Sequence, residues 1–72
     1  MELYRNVNGN SNVSAYEIGR DYIAVKFYKT ARIYRYSYAK AGRDTVEHMK
    51  QLALAGYGLN SFIRRFANKL YD

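Results

Sequence analysis

Residues 22–38 have the sequence YIAVKFYKTARIYRYSY. They contain two runs, separated by a short break, in which every second residue would lie on the same face of an extended chain. The residues that mark the inward faces are Ile23, Val25 and Phe27 in the first run and Tyr34, Tyr36 and Tyr38 in the second. A period of two indicates strands with one buried face. Because residues 29–31 leave room only for a reversal, the two strands are predicted to be antiparallel neighbours.

Upstream, Val13–Ile18 predicts a third strand, and residues 19–21 a turn. Residues 1–12 are rich in asparagine and predict an N-terminal tail, with residues 13–72 as a single domain. Asn8-Gly9 is nevertheless a strong hairpin signal, because both positions accept a positive φ. A turn there would pair residues 3–7 with the strand from Val13. The sequence therefore predicts three strands, with a fourth as the alternative.

Downstream the period changes from two to 3.6, which predicts helices. Asp44 is the expected N-cap of the first helix, with Glu47 completing a capping box, and Gly56 is expected to end it in a left-handed conformation. The inward residues are then Val46, Met49, Leu52 and Ala53.

The second helix is expected to be capped by Asn60 or Ser61. Its predicted inward positions are Leu59, Phe62, Ile63, Phe66 and Leu70. The fold class predicted is α+β: an antiparallel meander of three strands, alternatively four, followed by two helices on one face.

The chain has 72 residues, no cysteine, one histidine, and twelve basic against six acidic residues, for a net charge of +6. A chain this short forms one small core, and a homodimer is compatible with it. One histidine without cysteine predicts no metal site, and nothing indicates a cofactor. The lack of cysteine favours a cytoplasmic location, and the longest apolar stretch is too short to cross a membrane. The excess of positive charge favours polyanionic partners.

Residues 22–43 contain no acid, and their bases are interleaved with tyrosines. Cations neutralise phosphates and aromatic faces stack on bases, so the mixture is typical of a single-stranded nucleic-acid surface. The candidate contacts are Lys26, Tyr28, Lys29, Arg32 and Arg35 in this stretch and Arg64, Arg65 and Lys69 on the second helix. The alternative is that tyrosines fill the strands and the cations only solvate the surface. Tyr34 and Tyr36 in particular are expected in the core, because Arg35 and Ser37 would otherwise be buried.

Two segments resemble the KTSC domain, a small module found at the C-terminus of some lysyl-tRNA synthetases and also free-standing. They are Tyr34-Arg35-Tyr36 after a strand ending in Phe27, and Gly56-x-x-x-Asn60-x-x-Ile63-Arg64. The resemblance covers roughly residues 13–66 and implies RNA as the partner class. It departs from the family where Thr30-Ala31 replaces a hairpin glycine, where the family's proline is missing, and at Phe66, which comes one position early.

Catalytic groups are sparse. His48 is the only imidazole, and Asp44, one turn before it, is more simply a helical neighbour than an acid–base partner. Without a nucleophile and base pair the sequence predicts no enzyme. The expected function is a non-enzymatic binding module for RNA or other single-stranded nucleic acid. The alternative is a protein-interaction module, such as a phage or mobile-element inhibitor of the anti-CRISPR kind that docks on an acidic or nucleoprotein surface.

Overall fold

The two alternating runs form the centre and one edge of an antiparallel sheet in the computed structural model, which describes residues 1–9 and 11–72. Along the chain the elements are β1 (Glu2–Leu3), β2 (Val13–Ile18), β3 (Tyr22–Phe27), β4 (Ile33–Ser37), α1 (Tyr38–Ala41), α2 (Arg43–Ala55) and α3 (Leu59–Phe62), which continues as a π-helical segment (Ile63–Ala67). The sheet order is β1-β2-β3-β4. The predicted α+β fold is confirmed, in its four-stranded form.

The register of the sheet places the apolar residues of neighbouring strands on one face. Ile23 is opposite Tyr36, and Val25 lies between Tyr34 on one side and Tyr16 on the other. This face packs against α2, α3 and the π-helical segment, and Tyr36 is only 1% exposed. The expected core position of Tyr36 is confirmed, while Tyr34 is half-buried.

The N-terminal residues pack against the end of α2. Strand β1 is shorter than the predicted pairing of residues 3–7, because the chain leaves the sheet after Tyr4 and turns towards the helix. Val7 donates a backbone hydrogen bond to the Gly56 carbonyl (2.8 Å), and the Arg5 guanidinium donates to the carbonyls of Leu54 and Ala55. These contacts satisfy carbonyls that a helix end leaves unpaired.

The N-terminal caps predicted for both long helices are wrong. Helix α2 begins at Arg43 with Gly42 as its N-cap, and Asp44 lies in the first turn. Glu47 accepts hydrogen bonds from Lys50 and from the Tyr38 hydroxyl instead of closing a capping box. Helix α3 begins at Leu59 after Gly58, so Asn60 lies inside it. The end of α2 is as predicted, since Gly56 has φ +82° and its N–H bonds the Leu52 carbonyl.

The inward face of the last helix also differs from the prediction. Its buried residues are Leu59, Ile63 and Ala67, which recur every four residues, and Phe62 is half-buried. Phe66, predicted to be in the core, is 65% exposed. The physical reason is the π-helical segment: its turn closes by i→i+5 hydrogen bonds and holds more residues than an α turn. The wider turn brings the small Ala67 under the sheet and carries Phe66 outward.

Candidate functional site

A cavity of about 300 Å³ lies between the β3–β4 edge of the sheet and the last helix. We call it the aromatic cavity. It is lined by Phe27, Thr30, Tyr34, Tyr36, Asn60, Ile63, Arg64, Asn68 and Tyr71. Its wall is therefore formed by aromatic rings on the sheet side and by amide and guanidinium groups on the helix side.

The aromatic rings of the cavity contact one another edge to face. The ring centroids of Tyr34 and Tyr71 are 4.9 Å apart at an interplanar angle of 79°, and those of Phe27 and Tyr34 are 5.6 Å apart. The Arg32 guanidinium lies 4.9 Å from the centre of the Tyr34 ring and 5.4 Å from that of Tyr71. The edge-to-face packing and the cation hold the rings in fixed positions.

Tyr71 is held in place by the residue that follows it. The backbone N–H of Asp72 donates to the Arg35 carbonyl (2.7 Å), which extends the pairing along the outer edge of β4. The Asp72 carboxylate accepts a hydrogen bond from the Ser37 hydroxyl (2.7 Å) and lies 3.6 Å from the Arg35 guanidinium. These three contacts fix the C-terminal residues against β4, so Tyr71 covers the cavity from the strand side.

Of the three tyrosines that line the aromatic cavity, Tyr36 is buried and the other two are half-buried. Burial, with the neighbouring Tyr34 and Tyr71 hydroxyls, raises the pKa of Tyr36 to about 12. The phenol is therefore protonated throughout the physiological range, and its oxygen can donate as well as accept a hydrogen bond.

Arg64 also lines two further concavities that adjoin the aromatic cavity. One is bounded by Ser61, Arg64 and Arg65. The other is bounded by Asn8, Ser11, Tyr57, Gly58, Asn60, Ser61 and Arg64. All three concavities are lined in part by Arg64, and we refer to them together as the Arg64 groove.

Asn60 and Ser61 are free to line the groove because they do not cap the helix. Gly58 provides no side-chain cap to α3, and the Leu59 N–H instead donates to the Tyr4 hydroxyl (3.3 Å). A buried side chain from the N-terminal segment thus satisfies a helix-end donor that a cap residue would otherwise take. The polar side chains at positions 60 and 61 remain on the groove side.

The charge of the groove is entirely positive. Among the described residues, none of those that line its three parts is acidic. The two salt bridges within residues 1–9 and 11–72 are Arg35–Asp72 and Lys50–Glu47, so neither involves Arg64 or Arg65. Both arginines are exposed to solvent.

The structure divides the eight candidate contacts into separate groups. Arg64 and Arg65 line the groove, and Arg32 lies on the rings of the aromatic cavity. Lys26 and Arg35 alternate with the core residues and therefore lie on the opposite, open face of the sheet, where Arg35 also covers the Tyr22 ring at 4.3 Å. The remaining residues lie outside the groove lining: Tyr28 and Lys29 in the β3–β4 turn, and Lys69 after the π-helical segment.

Several groove residues were not candidates from the sequence. Tyr71, Asn68 and Thr30 lie in no recognisable motif, and only the fold brings them together. Two short segments singled out in the sequence analysis did contain groove residues: Tyr34 and Tyr36 in one, and Asn60, Ile63 and Arg64 in the other. All five line the same aromatic cavity.

His48 lies apart from the groove lining, with its ring centroid 4.7 Å from that of Phe62. Within the described residues no cluster of three or more histidine, cysteine, aspartate or glutamate side chains could hold a metal ion. Over the same residues, no helix has the length and apolar character to cross a membrane.

Neither a protein-family model, nor a curated protein sequence, nor a solved structure matches this chain.

Proposed function

We propose that this protein binds single-stranded nucleic acid, with RNA favoured, along the Arg64 groove and without catalysing a reaction. The observation that supports this most directly is that an aromatic cavity and two polar concavities share Arg64, which forms no salt bridge with any residue that the structure describes. A single strand presents the complementary groups in alternation, since each nucleotide has a planar base and an anionic phosphate.

The aromatic cavity has the chemistry to receive one base. Its volume of about 300 Å³ is at the lower end of small-molecule pockets, which suits one nucleotide rather than several. Tyr34 and Tyr71 provide aromatic surface. Asn60 and Asn68 provide amide donors and acceptors of the kind that read the hydrogen-bonding edge of an unpaired base.

The arginines of the groove supply the charge that a strand needs. Arg64 and Arg65 lie beside Ser61, whose hydroxyl can also bond a phosphate oxygen. With Arg32 at the aromatic cavity, three cations would contact the strand. The logarithm of the binding constant should then fall with the logarithm of salt concentration at a slope of about −2.

The test is a fluorescence anisotropy titration with labelled single-stranded RNA, single-stranded DNA and duplex DNA at several salt concentrations. Arg64→Ala should weaken single-strand binding and flatten the salt slope by somewhat less than one unit. Lys26→Ala is the matched control, because Lys26 lies on the open face of the sheet, lines none of the three concavities and forms no salt bridge with any described residue. It should leave both quantities nearly unchanged.

The stacking part of the proposal is tested by Tyr34→Ala. Loss of the ring should weaken binding by about 1 to 3 kcal/mol without changing the salt slope, because stacking releases no counterions. The proposal is wrong if the chain binds no polyanion at low salt, or if Lys26→Ala weakens binding as much as Arg64→Ala. Tight binding of one protein with a shallow salt dependence would favour the protein-interaction alternative.

A further inference from the structure

Phe66 is a large aromatic side chain that the fold holds in solvent. It is 65% exposed, yet its ring centroid lies 5.2 Å from that of Phe62, which in turn lies 4.7 Å from the His48 ring. The three rings form a column that begins at helix α2 and ends at the surface. Phe66 is the free end of this column, and the rings behind it fix its position.

The exposure of Phe66 results from the π-helical segment Ile63–Ala67. A regular α-helix would place Phe66 one turn after Phe62 and Ile63, on the stripe that faces the core. Segments of π-helix are rare, and they are frequently found at functional sites. The departure from α geometry here has two effects: it buries Ala67 and presents a phenylalanine to solvent.

Cations lie before and after Phe66 along the same stretch of chain. Arg65, the residue before Phe66, lines the concavity with Ser61 and Arg64. Lys69 is exposed three residues further on. From residue 51 to residue 71 the chain contains no acid. An exposed ring with cations before and after it in the chain suits a ligand that is planar and anionic, because an aromatic face stacks on a base and a cation neutralises a phosphate.

We infer that Phe66 is a second stacking position, which receives a base of the same strand after that strand has crossed Arg64 and Arg65. The inference rests on the proposed function and adds to it the route of the strand across the surface. The strand runs between the aromatic cavity and the end of the aromatic column, and it crosses the two arginines on the way. One base then stacks in the aromatic cavity and a second base stacks on Phe66. The phosphates between these two bases contact Arg64 and Arg65.

The experiment uses Phe66→Trp as a reporter, since the chain contains no tryptophan. A tryptophan at this exposed position keeps the aromatic face and gives an emission signal that is separable from that of the tyrosines. Leu54→Trp is the matched control, because Leu54 is a similarly exposed apolar residue (60%) on α2 and lines none of the three concavities. Each variant is titrated with an unlabelled single-stranded oligonucleotide, while anisotropy of a labelled one measures binding independently.

The expected result is saturable quenching of the tryptophan at position 66, with the same binding constant as the anisotropy titration, and little change at position 54. Phe66→Ala should bind about tenfold more weakly with an unchanged salt slope. Normal anisotropy binding without quenching at position 66, or an undiminished affinity of Phe66→Ala, would overturn the inference and leave the proposed function standing. Absence of binding in the anisotropy titration would overturn the proposed function itself. A shifted emission at position 66 in the free protein, with a dimer in sedimentation, would show that a second copy covers the ring and would also overturn the inference.

Discussion

The backbone N–H of Leu59 donates a hydrogen bond to the hydroxyl of Tyr4, 55 residues earlier in the chain. This one bond joins the N-terminal strand to the start of the helix that carries Arg64. Tyr4 is 4% exposed, and burial raises its pKa. The hydroxyl stays protonated at neutral pH and accepts the helix-end N–H through a lone pair. The position of the groove thus depends on a contact that no local pattern contains.

Tyr4→Phe should therefore lower the free energy of unfolding by about 1 kcal/mol, because the Leu59 N–H loses its buried partner while the ring packing is kept. Urea unfolding followed by circular dichroism measures the change. Tyr28→Phe is the control, since Tyr28 is 53% exposed, and its effect should be within about 0.5 kcal/mol. Equal effects of the two changes would contradict the capping role of Tyr4.

The exposure of Phe66 and the burial of Ala67 predict losses of stability of different size at these two adjacent positions. Ala67 is fully buried, so Ala67→Leu should overpack the core and destabilise the protein by about 1 to 3 kcal/mol. Phe66→Ala should cost less than about 1 kcal/mol, because most of the ring is already in solvent. Thermal unfolding of both variants checks the order. A larger loss at position 66 would mean that the helix is regular and Phe66 is in the core.

Lys29 adopts φ +71° in the β3–β4 turn, a left-handed conformation that is unfavourable for a residue with a Cβ atom. Lys29→Gly should raise the free energy of unfolding by about 0.5 to 1 kcal/mol, since relief of this strain exceeds the entropy that glycine adds to the unfolded chain. Lys29→Ala removes the same charge but keeps the Cβ atom, and it should give no gain. If alanine stabilises as much as glycine, the effect is due to charge and the strain argument fails.

The raised pKa of Tyr36 predicts a loss of stability at alkaline pH. Its ordinary pKa is 10.0, and its value in the fold is about 12. Below pH 10 the ring is protonated in both states, so it contributes no pH dependence. Between these values the unfolded chain gives up the proton first, and the free energy of unfolding falls as the pH rises.

Urea unfolding at about pH 9 and about pH 11 measures this slope. Tyr36→Phe should reduce it, because phenylalanine has no proton to lose. It should not abolish it, since the pKa values of Tyr4 and Tyr22 are also raised, by burial and by the hydrogen bond to Glu17 respectively. An unchanged slope in Tyr36→Phe would show that Tyr36 is not the main titrating group.

Local sequence patterns determined most of the fold. The alternation in residues 22–38 fixed which side chains of β3 and β4 face the helices, and Gly56 ended α2 as expected, because both features depend on neighbours within a few residues. The cap predicted at Asp44 was wrong because α2 begins at Arg43, one residue before Asp44 and directly after Gly42. The cap predicted at Asn60 or Ser61 was wrong for a different reason, which lies outside the local sequence. At the start of α3 the helix-end donor found a partner far away in sequence, in Tyr4.

Sequence alone determined that this chain is a small, strongly basic α+β protein with tyrosine-rich strands and two candidate segments, 34–36 and 56–64. Only the tertiary structure decided that both segments line one cavity, that Arg64 lies at its mouth while Arg35 faces away, and that Phe66 points to solvent. The physical reason is the distance along the chain over which each kind of interaction acts. Hydrophobic period and turn chemistry act over a few residues, whereas the groove depends on contacts from Tyr4 to Leu59 and from Arg35 to Asp72, and on a π-helical turn whose register is set by what fits under the sheet.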